Sequence, residues 1–149
     1  MTEELQWHRK FAVDLFNLTW EYLDKTERTI EDNDVMLNAA HASRYHWEVV
    51  GTPVNLARGE WQLSRVYSVL QRSEPALYHA RRCLEICQEN EIGDFDLAYA
   101  YEALARAYAV AGQMDESRQF LELARQAGEK IAEEDDKNLF ISDITTVPV

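Results

Sequence analysis

From Pro53 to Arg72, the apolar and polar residues of PVNLARGEWQLSRVYSVLQR sort onto two sides of a helix. At 100° per residue, Leu56, Leu63, Val66, Tyr67 and Leu70 gather on one side, while Arg58, Trp61 and Arg65 gather opposite. The same period runs through five further stretches. It predicts helices near 9–26, 32–50, 53–70, 74–90, 95–111 and 115–134. Thr52 before Pro53, Ser73 before Glu74-Pro75, and Asp94 after Gly93 read as helix starts, and Gly51, Gly93, Gly112 and Gly128 as helix ends. The connections are short, so consecutive helices should run antiparallel.

The chain also resembles itself at a spacing of 41 residues. Leu15, Leu56 and Leu97 fall into register, as do Tyr22, Leu63 and Leu104, then Ala39, Ala80 and Leu121, then Ala42, Cys83 and Ala124, while Trp20 meets Trp61. Periods of this length signal stacked supersecondary units, here about 12–52, 53–93 and 94–134, followed by a tail over 135–149. The alternative is a plain six-helix bundle whose self-similarity is coincidental.

The residues at fixed places in each unit resemble the tetratricopeptide repeat, a helix-turn-helix module. In the third unit they are Tyr101, Leu104, Ala105, Tyr108, Gly112, Ser117, Leu121 and Ala124, and in the second Leu63, Ser64, Tyr67, Ala76 and Ala80 occupy the matching places. The first unit keeps only Tyr22, Ala39 and Ala42. The spacing departs from the family's usual 34 residues and the closing proline is absent, so each helix should be about one turn longer. The resemblance implies an all-α solenoid of three antiparallel hairpins, with the first helix of each lining a concave groove. The groove residues it implies are Asn17, Trp20 and Asp24, then Arg58, Trp61 and Arg65, then Tyr99, Glu102 and Arg106.

Tryptophan and arginine in a concavity are the residue types that anchor partners, and guanidinium grips carboxylate in bidentate fashion. The expected function is therefore a non-catalytic binding or scaffold module for a protein segment, a peptide or an acidic ligand. Two alternatives stand beside it. One is an enzyme or metal-dependent site built from His41, His46, His79 and Glu60; the other is a structural homodimer without a ligand groove. Glu60 occupies a large apolar position of the repeat, where a carboxylate needs a partner such as His46 or an arginine.

Composition narrows the partners. The 149 residues carry a net charge of −12, which repels phosphate backbones and anionic membranes, so neither nucleic acid nor membrane is an expected partner. With only 3 prolines and 5 glycines the chain has little turn material for an all-β fold. The N-terminal stretch MTEELQWHRK reads as neither a signal peptide nor a lipidation motif, and a cytoplasmic location is expected. Cys83 and Cys87 stack on one helix face and read as core thiols. No phosphate loop, HExxH, EF-hand loop or GxSxG is found, so no cofactor is expected. The apolar tail residues Leu139, Phe140, Ile141 and Ile144 are expected to cap the last unit, or else to dock into a second copy.

Overall fold

The structure, a computed structural model, describes residues 1–148; Val149, in the tail region, lies outside the described residues. Seven helices and no strand make up the described residues: α1 (Glu3–Leu23), α2 (Ile30–Val50), α3 (Pro53–Val69), α4 (Ser73–Glu89), α5 (Asp94–Val110), α6 (Met114–Glu129) and α7 (Glu134–Ile144). The fold is all-α. Helices pair as α1 with α2, α3 with α4 and α5 with α6, and each pair packs on the next through α2 against α3 and α4 against α5. Contact of α3 with α5 sets the first helices of two successive hairpins side by side.

Capping explains where the boundaries differ from those the apolar stripe predicts. Thr2 accepts a hydrogen bond from the Leu5 amide (3.2 Å) and starts α1 six residues ahead of the predicted position, with Glu3 and Glu4 offsetting the macrodipole in the first turn. Thr29 and Asp32 form a reciprocal box at the start of α2: each side chain accepts the other's backbone N–H at 3.1 Å. Ser73 lies inside α4 rather than before it.

The same turn closes α3 and α5, 41 residues apart. The Arg72 amide donates to the Tyr67 carbonyl and the Gln113 amide to the Tyr108 carbonyl, both at 2.9 Å, which is the six-to-one bond of a Schellman motif. That motif needs one left-handed residue. Gly112 supplies it with φ 76°, and Gln71 supplies it with φ 59°.

Small residues hold the hairpins close. Ala98, Ala100, Ala103, Ala105 and Ala107 are buried along α5, which has neighbours on nearly every side. Two serines tie first helix to second at the closest approach: Ser64 Oγ donates to the Ala76 carbonyl (2.9 Å), and Ser117 Oγ donates to the Ala105 carbonyl (2.7 Å). Aliphatic and aromatic residues fill the remaining core, chiefly Met36, Leu63, Val66, Leu77 and Leu104.

The tail forms a helix of its own. Glu133 caps α7 by accepting the amides of Asp135 (3.1 Å) and Asp136 (2.7 Å), and the helix lies against α5 and α6. Phe140 is wholly buried among Ala98, Tyr99, Ala124 and Ile131, and Val147 packs near Leu121. Gly128 lies in the last turn of α6, one residue before its end; a Cβ there would stand 2.6 Å from the Phe140 ring, so its lack of a side chain is what seats α7. Phe140 and Ile144 thus cover the last hairpin, while Leu139 and Ile141 remain exposed. Among the described residues no helix is long and apolar enough to cross a membrane.

Candidate functional site

The first helices carry three sets of residues in 41-residue register. The central set is Trp20 on α1, Trp61 on α3 and Glu102 on α5. The indole rings of Trp20 and Trp61 lie 5.5 Å apart, and the Trp61 Nε1–H donates to Glu102 Oε1 at 2.9 Å. Glu102 is wholly buried, and its second oxygen receives Arg106 Nε at 2.6 Å, so the carboxylate is satisfied from both sides.

The next set is Asp24, Arg65 and Arg106. The Arg65 guanidinium lies over the Trp61 ring, 5.4 Å from its centroid, with Nη2 3.5 Å from Glu102 Oε2. That approach is an ion pair without hydrogen-bond geometry: Arg65 Nε and Nη2 are both out of solvent and neither has an acceptor among the described residues. Arg106, its counterpart one unit on, is fully used. Its Nη2 donates to the Asp143 carbonyl (3.4 Å) and Thr146 Oγ1 (2.8 Å), and its Nη1 to the Thr146 carbonyl (3.3 Å), so it caps the C-terminal end of α7.

The third set is Asn17, Arg58 and Tyr99. Arg58 grips Asp96 in bidentate fashion at 2.8 and 3.2 Å, which raises its pKa and fixes its charge. Tyr99 donates to Asp143 Oδ2 at 2.5 Å; burial first, then the Asp143 carboxylate, push its phenol far above the usual range, so it stays a donor. Asn17 is exposed and takes no part.

Between α1, α3, α5 and α7 lies a cavity of about 640 Å³. Its aromatic wall is built from Phe16, Trp20, Trp61, Phe95 and Tyr99. Rings of this wall touch in sequence: Trp61 meets Tyr99 edge-on at 5.3 Å, and Phe95 lies 4.7 Å from Tyr99. Arg58 and Arg65 supply the basic groups, and Asp24, Asp96, Asp136 and Asp143 the acidic ones. No family model, curated protein or solved structure matches the chain. The site is therefore read from its own chemistry.

Six of the groove residues expected from the sequence line this cavity: Trp20, Asp24, Arg58, Trp61, Arg65 and Tyr99. Glu102 and Arg106 are not surface lining, because α7 covers the third hairpin and turns both into its supports. The sequence does not single out Phe16, Phe95, Asp96, Asp136 or Asp143 for the groove, and it assigns Leu139 to a cap or a dimer contact rather than to the cavity wall. Phe95 and Asp96 precede Tyr99 by four and three residues, one helical turn, and that spacing could have found them. The α7 residues needed the recognition that Glu133 starts a helix.

The second constellation divides. Glu60 is buried and held by Arg44 Nε (3.0 Å) and His79 Nδ1 (3.2 Å), while His41 Nε2 meets the Tyr67 hydroxyl at 2.8 Å and the Tyr67 and His79 rings stack. Burial pushes the Glu60 carboxyl up, but His79 and Arg44 outweigh it and hold its pKa below the ordinary value. Burial, with His79 nearby, lowers His41. His46 lies elsewhere, its Nδ1 2.9 Å from that of His8 on α1. Among the described residues no group of three or more His, Cys, Asp or Glu is placed to hold a metal ion. Cys83 and Cys87 are free, buried thiols.

Proposed function

We propose that the protein is a binding module of the tetratricopeptide-repeat type, holding a protein or peptide segment in the cavity between α1, α3, α5 and α7. The observation that carries this reading is the aromatic wall. Trp20, Trp61 and Tyr99 present a continuous apolar surface to a cavity of about 640 Å³, and the Trp61 ring is fixed by its hydrogen bond to a buried carboxylate. Aromatic anchors held rigid before binding lose little conformational freedom on capture. The Arg44–Glu60–His79 network, with the His41–Tyr67 pair beside it, is read as structural, since its bonds join α2, α3 and α4. The same reading puts the chain in the cytoplasm, supported by two thiols left free.

Random peptide display on the immobilised protein tests this, with counter-selection on Trp20→Ala. Enrichment of a peptide family that Trp20→Ala fails to retain is the expected result. Families retained equally by both proteins would place binding outside the cavity and refute the reading.

A further inference from the structure

The chain contains its own example of an occupied groove position. Arg106 and Arg65 stand 41 residues apart in the same register, both directed at Glu102. Arg106 spends its remaining N–H groups on the main-chain carbonyls of Asp143 and Thr146, the end of the helix seated on the third hairpin. Arg65 approaches the same carboxylate and meets no such carbonyl: Nε and Nη2 are buried without an acceptor, and Nη1, also without one, is the nitrogen left open on the cavity side. A guanidinium held out of bulk water with unanswered N–H groups favours an arriving acceptor.

Charge says which segment brings it. Four aspartates and two arginines line the cavity, and both arginines are already matched: Arg58 by Asp96, and Arg65 by Glu102, which Arg106 shares. Asp24 and Asp136 have no ion-pair partner among the described residues, and the whole chain carries −12. Asp136 sits among Glu133, Asp135 and Asp94, a crowd of like charge that, after burial, raises its pKa and that a cation would relieve. Aromatic faces beside those carboxylates attract the same cation. An acidic ligand would meet this surface with repulsion.

We propose that the cavity takes a basic peptide segment, its main-chain carbonyls received by Arg65 and its lysine or arginine side chains by Asp24, Asp136 and the aromatic wall. The inference rests on the groove reading above and adds the charge and polarity of the occupant. In effect, the bound segment would lie on the second hairpin as the chain's own α7 lies on the third.

The test titrates the full chain with two fluorescein-labelled amphipathic peptides of equal length, one of Leu and Lys and one of Leu and Glu. Anisotropy gives affinity, and intrinsic tryptophan emission reports on Trp20 and Trp61. The Lys peptide should bind and shift the emission, and the Glu peptide should not. Asp24→Asn with Asp136→Asn should weaken the Lys peptide about tenfold. Arg65→Met is the decisive variant. Removing a positive charge makes the cavity more negative, so attraction by net charge alone predicts tighter binding of the Lys peptide, whereas carbonyl capture predicts binding weakened about tenfold. Tighter or unchanged binding by Arg65→Met, with a native thermal melt, overturns the proposal. Preference for the Glu peptide, lost in Trp20→Ala, overturns the charge assignment and leaves the groove standing. Failure of both peptides to bind overturns the two together.

Discussion

Trp61 and Glu102 are joined by a 2.9 Å hydrogen bond across 41 residues of sequence, from an indole that lines a cavity to a carboxylate with no access to solvent. The pair links two layers of the molecule. Trp61 packs against three apolar clusters as well as the cavity, so one side chain serves both core and groove. Its replacement by alanine would test stability before it tested binding, which is why Trp20 and Arg65 are the better probes of the site.

Glu102→Ala should lower unfolding free energy by about 3–5 kcal/mol, because it leaves Arg106 and Arg65 as buried cations without their shared counter-charge. Glu102→Gln keeps an acceptor for Trp61 and should lose less. Urea unfolding followed by tryptophan emission separates the two.

Gly128→Ala should destabilise by about 1–3 kcal/mol through collision of its methyl group with the Phe140 ring. The loss should concentrate in α7. Hydrogen exchange would show amides of 134–144 opening while those of α3 and α5 keep their protection, and Phe140→Leu placed on the Gly128→Ala background should recover part of the difference.

The Schellman turns that close α3 and α5 make a reciprocal pair. Gln71→Gly should raise stability by about 0.5–1 kcal/mol by relieving a left-handed non-glycine residue, and Gly112→Ala should lower it by a comparable amount. Thermal melts of both variants check the opposite signs. Two shifts of the same sign would mean that the turns are not equivalent.

Acid should weaken the fold in two stages. His41 and His46 have folded pKa values below 6.5, both chiefly through burial, so the unfolded chain binds their protons first and stability falls as pH drops below about 6.5. Glu60 behaves as a paired carboxylate with a folded pKa below 4.5: its contribution is present above that value and is lost as pH falls through the lowered one. Urea midpoints measured from pH 8 down to about pH 2 should show both declines, and His41→Gln with His46→Gln should remove the upper one.

The helices and their pairing were legible because period and punctuation agreed: the stripe of Leu56, Leu63 and Val66 and the Thr52-Pro53 start both point to α3. The first six residues of α1 were not, since its first turn is set by Thr2 and two glutamates rather than by an apolar stripe. Burial on the groove side was the larger omission. A pattern on α5 shows which residues oppose the apolar stripe, but only α7 decides that Glu102 and Arg106 are covered while Tyr99 and Arg65 face a cavity. Gly128 was read as punctuation because its contact with Phe140 is twelve residues away in sequence and belongs to another helix.

The serine links carry a consequence for redesign. Ser64 and Ala76 in one hairpin become Ala105 and Ser117 in the next, so donor and acceptor have changed helices while the bridge between them has been kept. What persists is a gap between two backbones wide enough for one hydroxyl. An engineer extending the array could therefore write the serine on either strand of the hairpin and give alanine, the stronger helix former, to whichever helix is less well supported.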